Sequence, residues 1–198
     1  MRIIGFSRLK KFNMKTSFDF EKLFNQNQIE NEMDLERALV AERKLRIMAK
    51  EDQKFEIIRR KIRDSIYEYE QKNWSNIENI TEERIRQSDQ AQIIVEQEES
   101  FLFKRKSLIR SSLKSLKLTQ QDLGVILGHS CKTYMSELMN GICPFPLKDL
   151  IIIHKLLKIK MNDLVPVFLS GTEQATINTN LKKVNNRRTS PKLQPLSI

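Results

Sequence analysis

The chain has 198 residues, enough for one ordinary domain or two small ones, and its apolar fraction of 39% predicts small cores with long solvated helices. Five Gly and five Pro are too few for the many tight turns of a β-sandwich or barrel, so the composition favours an all-α fold. The net charge of +10 points to a polyanionic partner, and no window approaches the roughly 18 consecutive apolar residues of a membrane span.

The N-terminal segment, residues 1–31, is rich in Asn, Gln, Phe and Lys without sustained periodicity, which predicts a poorly ordered arm. It has neither a continuous apolar stretch nor a small-residue cleavage site, so we expect no signal peptide; Met14 is an alternative start. The two cysteines, Cys131 and Cys143, form no Cys-x-x-Cys pair, so no disulfide framework is expected and a reducing cytoplasm is the expected location.

A helical hairpin is predicted over residues 32–78. An apolar stripe runs through residues 36–50, with Asp34 near the N-cap of the first helix. A second helix is predicted to end near Lys72 and Trp74, because apolar residues recur at steps of three and four before it. These residues are Phe55, Ile58, Ile62, Ile66 and Tyr69. The two stripes can bury each other.

A long connecting helix is predicted over residues 79–103 and onward to about residue 117. Neither Gly nor Pro occurs from residue 82 to residue 117, and a kink is expected near Ser100. The polar segment 82–99 leaves two alternatives open, a solvated connector between domains, which we favour, or a coiled-coil surface.

A helix, a tight turn and a second helix are predicted in the basic half of the chain. Thr119 is a good N-cap, and the small Gly124 permits close approach of the second helix. Gly128 lies where the first helix must end in a left-handed conformation, Ser130 can cap the second helix, and Gly141 closes it. Such a pair can hold its second helix rigidly in a major groove of DNA.

The second helix has an apolar face and a polar face. Met135, Leu138 and Met139 are predicted to point inward. The candidate DNA-binding residues of the helix pair are Thr119, Gln120, Ser130, Lys132, Thr133, Tyr134, Ser136 and Glu137. We expect Gln120 to meet a phosphate and residues 132–137 to read base edges. In DNA-binding helix pairs whose first helix is counted from the position of Gln120, apolar residues usually fall at positions 134 and 137. Here they fall at 135 and 138, so the choice of residues that reach the bases stays open by one position.

The charge is distributed unevenly along the chain. Residues 104–169 carry 11 Lys/Arg against 4 Asp/Glu and residues 170–198 carry 5 against 1, whereas residues 1–103 are nearly balanced. Nucleic acid is a better partner for this half than a membrane, because no basic amphipathic helix with an apolar face occurs there. The final segment, residues 170–198, is poor in apolar residues and predicts a disordered basic tail.

The helix pair resembles the helix-turn-helix of the Cro and phage-repressor (Xre-type) family. The resemblance implies a five-helix domain over residues 104–169, with a first helix at 104–117 and further helices at 147–159 and 161–169. More narrowly, Ser-Glu-Leu-Met-Asn-Gly at 136–141 and Pro-Phe-Pro-Leu at 144–147 resemble HigA-type antitoxins. That resemblance spans residues 32–169.

The HigA-type resemblance implies a homodimer that binds a palindromic operator in double-stranded DNA and represses its own operon. It also implies a second partner, an RNA-cleaving toxin of the HigB/RelE kind, with the N-terminal helices as the candidate contact. Two rivals stay open: a stand-alone Xre-type regulator without a toxin, and a helical scaffold that binds only protein. A plain helical hairpin without a DNA role is the simplest alternative for the helix pair itself.

No catalytic constellation and no cofactor motif is present, so we expect the chain not to be an enzyme. Two histidines and two cysteines, namely His129, Cys131, Cys143 and His154, lie in the basic half. Their spacing lacks the paired ligand knuckles of a structural zinc site, which favours roles in or near the core and predicts no metal.

Overall fold

The computed structural model describes residues 29–76, 78, 80–166, 171–187, 191 and 193–195, with the backbone alone for 171–175. Every regular element within these residues is helical, which confirms the all-α prediction. In chain order the helices are α1 Glu32–Met48, α2 Lys54–Asn73, α3 Glu82–Ser115, α4 Gln120–Leu127, α5 Lys132–Asn140, α6 Leu147–Leu157, a 3₁₀ turn at Met161–Asp163, and α7 Gly171–Asn185. None of the described helices has the length and apolar character needed to cross a membrane. Apart from its last three residues, the predicted N-terminal arm lies outside the described part.

α1 and α2 lie within the segment 32–78 and share a hydrophobic core; we refer to them, with the turn between them, as the hairpin. Asn31 is the N-cap of α1, three residues before Asp34, which was predicted to lie near the cap: the Asn31 side-chain oxygen accepts a hydrogen bond from the Asp34 backbone N–H at 2.9 Å. Asp34 lies in the first turn, where its negative charge interacts favourably with the helix dipole. The hairpin core, as we call it, consists of Leu35, Ala38, Ala41, Leu45, Met48, Phe55, Ile62, Ile66 and one residue from the other half of the chain, Ile142. α2 ends at Asn73 with Trp74 as its C-cap, as predicted.

α3 is one continuous helix of 34 residues, and the predicted domain boundary at 103/104 falls inside it. Its buried side chains recur at steps of three and four and form one stripe, Ala91, Val95, Glu98, Leu102, Arg105, Ile109 and Leu113. The N-terminal half of α3 packs against α1. The solvated-connector interpretation of 82–99 is therefore corrected, because Ala91, Val95 and Glu98 are buried.

Two charged residues lie within the buried stripe of α3. Glu98 accepts two hydrogen bonds from the guanidinium of Arg37 on α1, at 2.6 and 3.0 Å, which ties the hairpin to α3. Arg105 lies between the rings of Phe101 and Phe145 and donates to the Leu164 carbonyl at 3.3 Å. Burial lowers the pKa of Arg105 to about 10, so it stays charged at neutral pH.

The C-terminal core is built from the last turns of α3 and from the helices that follow it. Its buried members are Ile109, Leu113, Leu123, Leu127, Met135, Leu138, Met139, Phe145, Leu150, Ile153, Leu157, Ile159 and Leu164. The predicted helix at 161–169 is a single 3₁₀ turn, and residues 167–169 lie outside the described part. Pro166 follows this turn closely and cannot donate a backbone hydrogen bond to continue a helix.

The predicted disordered tail is corrected over its first half, where α7 spans 15 residues. Neither Gly nor Pro occurs from residue 172 to residue 190, and Ile177, Leu181 and Val184 recur at steps of four and three. No side chain described on this helix, from position 176 to position 185, is buried. The apolar stripe is too short to have been recognised against the polar composition of the segment.

Two ion pairs between α1 and α3 differ in burial and allow a matched test. The Glu98 side chain is 5% exposed in its pair with Arg37, whereas the pair of Arg43 and Glu99 spans 3.9 Å with both side chains largely in solvent. Arg37→Ala removes the arginine partner of a buried carboxylate, so we expect a loss of about 3 kcal/mol in the free energy of unfolding. Arg43→Ala is expected to cost less than about 0.5 kcal/mol. Urea denaturation measures both, and equal losses would show that the buried pair does not hold α1 on α3.

Candidate nucleic-acid interface

α4 begins with a reciprocal cap. The Thr119 hydroxyl accepts from the Asp122 backbone N–H at 3.1 Å, and the Asp122 carboxylate accepts from the Thr119 N–H at 2.7 Å. Hydrogen bonds from Thr119 hold the pKa of Asp122 below its usual value. The prediction of Thr119 as N-cap is confirmed. Thr119 is exposed and Gln120 is half-buried, so the first turn of α4 is open to solvent.

The turn between α4 and α5 depends on two glycines. Gly128 ends α4 in the left-handed region, with φ of 83°, as predicted. A Cβ atom on Gly124 would lie 2.9 Å from Cγ of Met135, so only glycine lets the two helices approach this closely. The turn is held further by His129, whose Nε2 lies 2.6 Å from a carboxylate oxygen of the buried Asp149.

The N-cap of α5 lies one residue later than predicted. It is Cys131, whose side chain makes no capping hydrogen bond, so the assignment of Ser130 as cap is corrected. The extra turn residue places Ser130 outside the helix and exposed. Lys132 follows at the first helical position and is also exposed. Both side chains therefore lie at the solvent-facing start of α5.

The inward face of α5 is the predicted one. Met135, Leu138 and Met139 are buried in the C-terminal core. Tyr134 is half-buried against that core, with its ring edge-on to the ring of His129 at a centroid distance of 5.0 Å. Tyr134 consequently faces along the protein surface and not directly away from the core.

The outermost stripe of α5 contacts other parts of the protein. Thr133, Glu137 and Asn140 follow one another at steps of four and three on the side opposite the buried face. The Thr133 hydroxyl donates to a carboxylate oxygen of Asp52 at 3.1 Å. The Lys54 ammonium lies 3.3 Å from the Glu137 carboxylate, leaving that side chain 16% exposed.

The contacts continue to the end of the helix. The Lys106 ammonium of α3 donates to the side-chain oxygen of Asn140 at 2.6 Å, and Asn140 in turn donates to the Ser136 carbonyl at 2.8 Å. Ile142, two residues beyond α5, is 2% exposed in the hairpin core. α5 therefore lies between the C-terminal core on one side and the hairpin on the other.

The candidate residues divide into two groups by accessibility. Thr119, Ser130 and Lys132 are exposed, whereas Gln120, Thr133, Tyr134, Ser136 and Glu137 are half-buried. Thr133, Tyr134 and Glu137 contact other residues of the chain, and the Ser136 hydroxyl accepts a hydrogen bond from the Asn140 amide at 3.3 Å.

The sequence reasoning missed the residues that cover α5, namely Asp52, Lys54 and Lys106. The contact between Asp52 and Thr133 joins positions 81 residues apart, and no local pattern encodes it. One signal was available: Ile142 is an apolar residue that directly follows the glycine at the end of α5.

The basic half presents most of its charge to solvent. Of its 11 Lys/Arg between residues 104 and 169, nine are exposed, while Lys106 is half-buried and Arg105 is buried. Within the described part of the chain, no group of three or more His, Cys, Asp or Glu side chains is placed to hold a metal ion. Comparison of the chain with protein-family models, curated proteins and solved structures found no match.

Two glycines with left-handed backbones, Gly128 and Gly141, provide the second test. A Cβ at Gly141 would lie 2.7 Å from Cδ1 of Leu102, whereas a Cβ at Gly128 would meet nothing within 4 Å. Both alanine variants incur left-handed strain of about 1 kcal/mol, and Gly141→Ala must also displace the buried Leu102, at a further cost of about 1 kcal/mol or more. Thermal and urea unfolding report the difference. Equal destabilisation by the two substitutions would mean that α5 does not approach α3 this closely.

Proposed function

We propose that the chain is a sequence-specific DNA-binding transcriptional regulator that engages duplex DNA through α4, the turn and α5. The observation that carries the proposal is this pair of short helices, which approach closely at Gly124 and leave side chains in the first turn of each helix open to solvent. Exposed basic side chains on the same half of the chain supply the attraction to phosphate. Phosphate contacts position such a protein and base contacts give it sequence preference.

The roles of individual residues follow from their accessibility. Gln120 and the free backbone amides at the start of α4 are suited to a phosphate. Lys132 and Ser136, at a spacing of four on one side of α5, are the candidates for base edges. Lys132 can donate to guanine acceptors, and the Ser136 hydroxyl can donate or accept.

The narrower proposal is an antitoxin of the HigA type. It represses its own operon as a homodimer and neutralises a HigB/RelE-like toxin through the N-terminal helices. Its support is the sequence resemblance together with a hairpin whose core is distinct from the C-terminal core, so that it could present a separate surface. A stand-alone Xre-type regulator fits the same DNA-binding geometry.

A second candidate function is a helical scaffold that binds only protein. The observation that favours it is the covering of α5: Thr133 and Glu137 are occupied by Asp52 and Lys54. A scaffold needs no open reading helix. Salt-dependent binding of duplex DNA separates the two candidates, since a scaffold has none.

The first functional prediction concerns salt. Affinity for duplex DNA should fall at least tenfold between about 50 and 200 mM salt, because several exposed Lys/Arg would release counterions from phosphates. Fluorescence anisotropy with a labelled duplex measures it. A change of less than about threefold would exclude contact with several phosphates.

The second functional prediction separates base reading from phosphate binding. Lys132→Ala and Ser136→Ala should each cost on the order of 1 to 3 kcal/mol at a preferred sequence and relax its discrimination. Gln120→Ala should weaken binding to all sequences about equally. Lys61→Ala, which removes an exposed charge from α2, is the matched control and should leave binding unchanged. Unaltered discrimination in both α5 variants would overturn the assignment of α5 as the reading helix.

A further inference from the structure

The turn between α1 and α2 contacts the part of α5 that would enter a DNA groove. Asp52 and Lys54, on either side of the start of α2, contact Thr133 and Glu137 respectively. Thr133 and Glu137 are one helical turn apart and point away from the buried face of α5. The contacts join the N-terminal hairpin to the basic half of the chain.

The major groove is about as wide as one helix. Lys132 and Ser136 can therefore reach base edges only if the neighbouring outward stripe of α5, with Thr133 and Glu137, enters the groove with them, and the hairpin turn occupies that stripe. We propose that docking of the α1–α2 turn on α5 and insertion of α5 into DNA are mutually exclusive, so that the turn is an autoinhibitory clamp. This inference rests on the proposed DNA-binding function.

The contacts are of a strength that permits release. The Lys54 side chain is 45% exposed, so its ion pair with Glu137 is screened by solvent. The hydrogen bond between Thr133 and Asp52 is partly buried, and such a bond makes a modest net contribution to the free energy of unfolding. Ile142 supplies the apolar anchor in the hairpin core. None of the four residues that make the polar contacts belongs to the C-terminal core.

The clamp sets the fraction of molecules that are competent to bind DNA. Apparent affinity is the intrinsic affinity multiplied by that fraction, so weakening the clamp raises affinity without any new contact to DNA. The double variant Asp52→Ala/Lys54→Ala removes both polar contacts. It removes one acid and one base, so the net charge of the protein is unchanged.

The experiment measures affinity for a duplex of about 30 base pairs, selected from a random pool separately with the unsubstituted protein and with the double variant. The double variant should bind roughly five- to thirtyfold more tightly than the unsubstituted protein. The matched control is Lys61→Ala/Asp64→Ala, which removes the same charges from exposed positions on α2 and should leave affinity unchanged. Circular dichroism confirms that each variant is folded, and Lys54→Ala alone, at a half-exposed position, should give a smaller gain in the same direction.

The possible outcomes separate the clamp from the proposed function. Equal or weaker binding by the double variant, when the unsubstituted protein binds the duplex, overturns the clamp and leaves DNA binding intact. A gain of the same size in the control variant also overturns it, because the effect would then not depend on the contact with α5. If no variant binds any selected duplex at low salt, the proposed DNA-binding function is wrong and the clamp with it.

Discussion

The structure depends on a single continuous helix, α3, which packs on the hairpin with its N-terminal half and on the C-terminal core with its last turns. A flexible hinge within α3 would have let the hairpin core and the C-terminal core move independently. The buried stripe instead runs through the expected boundary, with Glu98 held by Arg37 on one side of it and Arg105 held between two rings on the other. The position of the hairpin relative to α5 follows from this continuity.

α5 is in contact with both the C-terminal core and the hairpin. Its inner face completes the C-terminal core, and its outer stripe meets the hairpin turn at Thr133 and Glu137. Ile142, just beyond the helix, is buried with residues more than 75 positions earlier in the chain. A helix pair with the geometry proposed to bind DNA is thus also part of an intramolecular contact, and the proposed clamp connects these two properties of α5.

Much of the fold could be predicted from local patterns. The stripe ending at Tyr69 located α2, and Thr119, Gly128 and Gly141 located both ends of α4 and the C-terminal end of α5, because caps and left-handed glycines act within a few residues. The buried stripe of α3 was hidden by Glu98 and Arg105, two charged residues at core positions. The covering of α5 by Asp52 could not be predicted, since a single hydrogen bond between distant polar side chains leaves no periodic signal.

The hairpin turn at residues 49–54 is docked on α5 in the free protein and should leave it when DNA binds. Hydrogen exchange measured by mass spectrometry, without and with saturating duplex DNA, follows that turn and α5 in one experiment. We expect exchange to become slower at residues 130–137 and faster at residues 49–54 when DNA binds. Slower or unchanged exchange in the turn, with α5 protected by DNA, would contradict it.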